Sequence, residues 1–354
     1  MQNHHWATRP YLALLAKAAL ILVLCGCAPK EPAAIFGLSP VAVQATGQTE
    51  PVGTIAADAA DDPAIWRNAA NPSASLIVAT DKKAGLYVYS LDGKIRSFID
   101  AGRVNNVDLV GAGGRIIVAA SDRNNPAQSR IALFELDTVN AKLTPLGFVA
   151  SGPGEGYGIC IKEPTSPNII EIFAVLKAGT VNHLEIDIGG ASPTGNIIRS
   201  LKMPTQTEGC VIDRASNLYV GEEDAGIWRF SGAKEGSTKG TMIAAVDNQR
   251  LVADVEGLAI VREATGLELL IASSQGNNAY AVWVLPDMRF VGRFSITAGA
   301  LGATSETDGI AAMAGDFGPT YLDGLFIAQD GDNAPDAQNF KLVPWQTIKA
   351  SLGI

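Results

Sequence analysis

The sequence predicts an all-β chain folded as a six-bladed β-propeller, with about four antiparallel strands per blade. Three observations lead there. A short phrase, a polar or acidic turn followed by an apolar strand, returns six times. Counted between Asp62, Asn106, Tyr157, Glu208, Glu256 and Asp308, its intervals are 44, 51, 51, 48 and 52 residues. Each return is followed by two more β-rich phrases in a constant order. The long amphipathic helical stretches of a βαβ fold are missing. Four-stranded units at periods of about 40–50 residues are the mark of propeller blades.

The elements follow in order. The first phrase is DDPAIW (61–66), NNVDLV (105–110), EGYGICI (155–161), TEGCVI (207–212), VEGLAI (255–260) and TDGIAA (307–312). The second is SLIVATDKK (75–83), RIIVAASDR (115–123), IIEIFAVLK (169–177), NLYVGEED (217–224), ELLIASSQ (268–275) and GLFIAQDG (324–331). The third is GLYVYSL (85–91), RIALFEL (130–136), TVNHLEI (180–186), GIWRF (226–230), YAVWVL (280–285) and NFKLVPW (339–345). This third phrase alternates most, as a strand with one less buried face does. Fainter fourth strands include TPLGFVA (144–150), IIRSLKM (197–203) and FVGRFSI (290–296).

The amino terminus stands apart. Arg9 and Lys17 precede the apolar run AALILVL (18–24), which is too short to span a bilayer and reads as a secretory signal over residues 1–26. The ending Leu24-Cys25-Gly26-Cys27 resembles a bacterial lipobox, which makes Cys27 the lipidated first residue; plain signal cleavage is the alternative. Residues 27–50, rich in Ala, Pro, Gln, Thr and Gly, are expected to be a flexible tether, with the propeller over 51–354. Without the leader, His183 is the one remaining histidine, and Cys160 and Cys210 are the cysteines left in the domain, in a compartment where a disulfide can form. A net charge of −9 excludes the basic face that a nucleic-acid partner requires.

If each first phrase opens an innermost strand, its acids gather at one mouth of the central channel. The glycines beside them allow positive φ and close backbone approach. The mouth then holds Asp61, Asp62, Asn106, Tyr157, Glu208, Asp254, Glu256 and Asp308 from the first phrase. The second phrase adds Asp81, Lys82, Lys83, Asp122, Arg123, Lys177, Glu222, Glu223, Asp224, Gln275, Gln329 and Asp330. Crowded carboxylates repel and take up protons unless cations intervene. An all-oxygen, strongly negative donor set suits Ca²⁺, whereas zinc is disfavoured by the shortage of histidine and cysteine. Lys82, Arg123 and Lys177, each ending a second phrase, form a cationic flank opposite the carboxylates of the later blades, a place for a multiply anionic substrate. Nucleophile motifs of the GxSxG, HExxH and P-loop kinds are absent from the sequence. His183, in the middle of a strand, reads as a surface or interblade side chain.

These phrases together resemble the β-propeller phytases, the calcium-dependent phytases of bacteria. The resemblance rests on DDPAIW (61–66), ATDKKAGL (79–86), NNVD (105–108), YGICI (157–161), QTEGC (206–210), GEEDAGIWRF (221–230), DVEGLAI (254–260), ASSQGNNAYAV (272–282), TSETDGI (304–310), AQDGDN (328–333) and QNFKLVPW (338–345), in the right order from about residue 50 onward. It implies hydrolysis of phytate to lower inositol phosphates and inorganic phosphate, by attack of a calcium-bound water, with several Ca²⁺ ions as cofactor. It implies catalytic roles for Glu208, Glu223, Glu256 and Tyr157, with Asp61, Asp254 and Gln275 in the same calcium cluster and Glu222 as a further ligand. Lys82, Arg123 and Lys177 match the substrate-phosphate clamp. Asp62, Asn106, Asp308 and the segment near Asp330 match calcium sites that hold the channel and the chain ends.

The chain departs from the family pattern after Lys177, where Ala178 and Thr180 replace two acids, and between Asn333 and Gln338, where the loop is short. Cys160 and Cys210 lie at equivalent places on adjacent blades and are expected to form a disulfide. The resulting expectation is a monomeric cell-envelope lipoprotein, in the outer membrane or the periplasm, touching the membrane through its lipid alone. Two other readings compete with it: a calcium propeller hydrolase of another substrate such as a lactone, and a non-catalytic binding propeller.

Overall fold

A computed structural model of the chain describes Met1, residues 37–55 and residues 58–354. The signal segment, Cys27 and the first part of the expected tether lie outside the described residues. The predicted phrases become six antiparallel sheets arranged as blades. Blade 1 is Ala60–Trp66, Leu76–Asp81, Gly85–Ser90 and Ile95–Asp100; blade 2 is Val104–Ala112, Arg115–Asp122, Gln128–Asp137 and Lys142–Pro153. Blade 3 is Gly156–Ser166, Ile169–Leu176, Thr180–Asp187 and Thr194–Lys202; blade 4 is Thr207–Ile212, Asn217–Glu222, Gly226–Ser231 and Thr241–Ala245. Blade 5 is Val255–Arg262, Glu268–Ser274, Ala279–Leu285 and Arg289–Ile296, and blade 6 contains Ile310–Ala314, Gly324–Asp330 and Asn339–Pro344. Innermost strands touch in sequence order, and Ile310–Ala314 meets Ala60–Trp66 to close the ring.

The core is divided among the blade junctions. Ile117 and Ile131 of blade 2 pack with Ile170, Ile172 and Leu184 of blade 3. Phe173 and Val175 of blade 3 pack with Leu218 and Val220 of blade 4. Each sheet therefore buries both faces in its middle strands, which is why the second phrases are continuous apolar runs. The disulfide Cys160–Cys210 joins the innermost strands of blades 3 and 4, with Cα atoms 5.8 Å apart.

One part of the expected tether is structured. Gly47–Gln48 pairs antiparallel with Asn339–Pro344 and supplies the outermost strand of blade 6, and Val41–Val43 adds a parallel strand to blade 5. The propeller thus begins before residue 51. The reason is that the outer strands of blades 5 and 6 offer unpaired backbone groups, and the amino-terminal segment satisfies them. After the last strand the chain turns into a helix, Trp345–Leu352, whose Trp345 and Ile348 are buried.

The opening of each innermost strand carries the same irregularity. In blades 1 to 5 two residues face one on the second strand, at 61–62, 105–106, 157–158, 208–209 and 256–257. This is a β-bulge, and it re-aims side chains toward the channel mouth. The aligned first residues are Asp61, Asn105, Tyr157, Glu208 and Glu256, with Asp308 just ahead of the blade 6 strand. The sequence alignment on Asp62 and Asn106 is therefore one residue late in blades 1 and 2.

The second bulge position is Gly158, Gly209 and Gly257, and Gly309 precedes blade 6. None of these has positive φ, so the glycine serves close approach alone. A methyl group on Gly257 would stand 2.6 Å from the Asp308 carbonyl oxygen, and on Gly158 or Gly209 it would stand closer still to Glu208 or Glu256. The same carbonyls accept hydrogen bonds at two of these junctions: Gly257 N–H donates to Asp308 O at 2.8 Å and Gly309 N–H to Asp61 O at 3.0 Å. Gly209→Ala should lower the melting temperature by several degrees, since overpacking a tight site costs about 1–3 kcal/mol. Gly111→Ala, where the nearest neighbour is 3.8 Å away, should melt like the wild type in the same calorimetric scan.

Candidate active site

Two six-fold sets of positions converge at one mouth of the channel. The bulge residues form an inner ring. An outer rim comes from the residue after each second strand, whose amide is fixed by a repeated backbone hydrogen bond: Lys82 N–H to Ala59 O, Arg123 to Arg103, Lys177 to Glu155, Glu223 to Gln206 and Gln275 to Asp254. The rim thus reads Lys, Arg, Lys, Glu, Gln across blades 1 to 5. Cations stand on one side and oxygen donors on the other.

On the oxygen side, carboxylate oxygens of Glu208, Glu223 and Glu256 lie within 4.8 Å of one another, all three residues buried. Each ionised pair at that spacing repels by about 3.5 kcal/mol or more at an effective dielectric near 20. Three such pairs rival a typical net folding stability of about 5–15 kcal/mol. The trio therefore keeps protons or recruits a cation. Burial, then Glu256, Asp61 and Asp308, push the Glu208 carboxyl well above its ordinary range. Burial, then Asp308 and Glu223, do the same to Glu256. Asp308 is pushed up to about 7, by burial and then Asp61, with Lys82 opposing. Glu223, more exposed, is raised mainly by burial, and the Gln206 amide opposes the shift.

The residues fit a hard divalent cation. Glu256 Oε2 is buried and accepts no hydrogen bond, and the donors around it are all oxygens. Glu208, Glu223 and Glu256 would be first to hold such an ion, with Asp61 and Asp308 near. Asp254 and Gln275 stand beside them. Gln275 donates to Asp308 Oδ1 at 2.7 Å, and Asp254 is raised by burial and by Asp224.

The three cations have different surroundings. Lys82 lies inside the acid ring, 2.8 Å from both Asp61 Oδ2 and Asp308 Oδ2 and paired with Asp58. Burial opposes its charge, but Asp61, Asp308 and Glu208 outweigh burial and keep it protonated. Arg123 pairs with Glu155 at 2.8 Å and donates to Asn105 Oδ1. Lys177 makes no ion pair among the described residues; its Nζ lies 4.9 Å from the centre of the Tyr157 ring. Tyr157 is held as a neutral phenol by burial and by Glu208, Glu256 and Glu223. Beside it opens a pocket of about 480 Å³ lined by Glu155, Lys177, Ala178, Pro204, Thr205 and Gln206.

A family profile described as phytase matches residues 12–354. The chain belongs to the phytase family. A 3-phytase of Bacillus subtilis (strain 168) is 37% identical over 327 residues, covering 88% of this chain and 85% of that protein. The protein is a hydrolase of this family. Among solved structures, a chain of the mitotic checkpoint complex is similar at 13% identity with a TM-score of 0.48, covering 89% of this chain and 82% of that one; at that level the likeness carries no argument.

In this phytase four predicted ligands have their side-chain oxygens engaged elsewhere than in a shared carboxylate cluster, although Asn106 touches one member of the trio. Asp62 is the second bulge residue, and its Oδ2 accepts the Val107 amide at 3.0 Å, tying blade 1 to blade 2. Asn106 is likewise second in its bulge; turning its amide places the nitrogen 2.9 Å from Glu208 Oε1 and 3.0 Å from the Tyr157 carbonyl, a supporting contact. Glu222 points back into blade 4, where both oxygens are taken by Thr205 and by Trp228 Nε1 at 2.8 Å. It precedes the rim residue Glu223, and neighbouring positions face opposite ways. Asp330 pairs with buried Lys341 at 3.1 Å.

Three contributors were not read from the sequence. Asn105, fully buried, donates to Glu208 Oε1 at 2.7 Å while accepting from Arg123, and so joins clamp to cluster. Gln206 donates to both Glu223 oxygens, at 2.8 and 2.7 Å. Glu155 holds Arg123. The doubled Asn105-Asn106 was the one available signal, and only strand register tells which asparagine faces the mouth. His183, read as a surface or interblade side chain, is not at the surface: it is wholly buried, with Nε2 2.9 Å from Glu171 of the same blade.

The raised carboxyls make the metal-free protein sensitive to alkali. Glu208, Glu256 and Asp308 hold protons more tightly folded than unfolded, so the folded state carries more protons. Stability then falls as pH rises from the ordinary carboxyl range near 4 through about 7. In chelator, the melting temperature should decline between about pH 5 and 8, and Glu256→Gln should flatten that decline.

Proposed function

We propose that this phytase hydrolyses phytate, myo-inositol hexakisphosphate, as a calcium-dependent phosphomonoesterase. The observation that carries the reading is the buried carboxylate trio beside two cations, Arg123 joined to Glu208 through Asn105 and Lys177 placed with Arg123 over the Tyr157 ring. Bound calcium would neutralise phosphoryl oxygens facing the carboxylates and lower the pKa of an attacking water. Glu208, Glu223 and Glu256 hold the ion. Gln206 and Asn105 orient two of those carboxylates, so that their lone pairs stay aimed at the mouth. Lys177 and Arg123 take phosphate oxygens on the other flank, and Arg123 does so in the planar, forked manner that suits phosphate. Tyr157, kept as a phenol, stands beside the two cations as a neutral donor for a substrate oxygen. Lys82 offsets the ring's negative charge and holds Asp61 and Asp308 in place, a role nearer the carboxylates than the substrate. The need for phosphate-grade cations favours a phosphate ester over a lactone.

The amino-terminal reading completes the proposal. A signal over residues 1–26 with lipidation at Cys27 places the enzyme in the cell envelope, where phytate outside the cell is accessible. Mass spectrometry of the mature amino terminus tests it, and an unmodified terminus overturns the anchor.

Phosphate release from phytate should stop in excess chelator and return with added Ca²⁺; release that persists in chelator overturns the calcium requirement. Lys177→Ala should lower kcat/KM by about 10- to 100-fold, the worth of a charge-assisted hydrogen bond, with melting behaviour unchanged. Wild-type kinetics in that variant would remove Lys177 from the clamp.

A further inference from the structure

The resemblance places a calcium site near Asp330, holding the chain ends. The structure shows those oxygens around a different cation. The Lys341 side chain is wholly buried, and its Nζ lies 2.8 Å from Gln48 Oε1, 3.0 Å from Asn333 Oδ1, 3.0 Å from Asn339 Oδ1 and 3.1 Å from Asp330 Oδ2. An ammonium has three protons to donate, and four acceptors from four side chains satisfy it. The charges balance too, one carboxylate against one ammonium.

Calcium does not fit beside it. The ion asks for six to eight oxygens at about 2.3–2.6 Å, and here the oxygens already converge on nitrogen. A second, divalent charge would leave three positive charges against a single carboxylate in a buried site. The rest of Asp330 is occupied as well, its Oδ1 accepting the amides of Ser305 and Asp332 at 3.3 Å each.

The cage also spans the chain ends. Gln48 belongs to the amino-terminal strand that completes blade 6. Asp330 ends the second strand of that blade, Asn339 opens the third, and Asn333 lies in the short loop between them. Backbone bonds flank the contact, with the Thr46 amide on Leu342 O and the Thr49 amide on Phe340 O, both at 2.9 Å. The short loop brings Asn333 onto the lysine.

We infer that Lys341 is the resident cation of this site: a tethered ammonium fastens the two ends of the chain, and Asp330 holds no metal. Calcium then belongs to the channel mouth alone, and its removal leaves the ring closed.

Counting bound calcium by equilibrium dialysis tests this directly. Wild type and Asp330→Asn should bind the same number of ions; loss of one ion in Asp330→Asn overturns the inference. Hydrogen exchange at the Thr46 and Thr49 amides tests it without a variant at Asp330. In the wild-type protein, their protection should be the same in chelator and in calcium. In Lys341→Met they should exchange at least about tenfold faster under both conditions, since the uncompensated Asp330 loosens the strand. Protection that collapses on chelation in the wild type, or that survives in Lys341→Met, refutes the tethered cation. These readouts do not involve phosphate release, so they stand or fall apart from the proposed activity.

Discussion

Mutual repulsion among buried carboxylates at the channel mouth is the constraint on which the rest of this structure depends. Glu208, Glu223 and Glu256 come within 4.8 Å of one another, in surroundings that already raise their affinity for protons. A fold that only had to be stable would separate them. The propeller instead draws them together with a closed ring of sheets, a disulfide that ties the Glu208 strand to the innermost strand of the preceding blade, and apolar packing at every blade junction. Lys82 reduces the excess charge from within. What remains negative is available for a cation.

The ring depends on one backbone device used repeatedly. A bulge at the start of an innermost strand turns a side chain toward the mouth, and the following glycine lets the next blade's carbonyl approach its Cα. The acid-glycine phrase is thus one structural unit with two parts, the acid aimed at the channel mouth and the glycine for spacing between blades. Asp62 and Asn106 show what happens where the second residue is not glycine: its side chain turns to bracing, as in the Asp62 contact with the Val107 amide. The rim follows similar logic, since one repeated hydrogen bond fixes each rim backbone and leaves its side chain free to vary from lysine to glutamate around the ring.

Positive charge closes the same ring at its edge. Lys341 inside its cage, and Arg293 donating to Leu38 O at 2.8 Å, hold the amino-terminal segment against blades 5 and 6. The segment looks like a tether because it is rich in small and polar residues. Its role as an edge strand comes from the open backbone groups it meets, which composition does not record.

The sequence by itself determined the blade count, the order of the three inner strands in each blade, the disulfide partners and most of the mouth, because period and apolar pattern are local properties that survive in one dimension. Glu208, Glu256, Tyr157, Lys177 and Arg123 were legible for that reason. Only the tertiary structure decided between Asp61 and Asp62, between Asn105 and Asn106, and between Glu223 and Glu222, since each choice is a one-residue matter of register and a single bulge reverses the face. It likewise decided that Asp330 faces an ammonium, because a cation is recognised by oxygens that converge from Gln48 and from residues nearly three hundred positions away, a distance only folding removes.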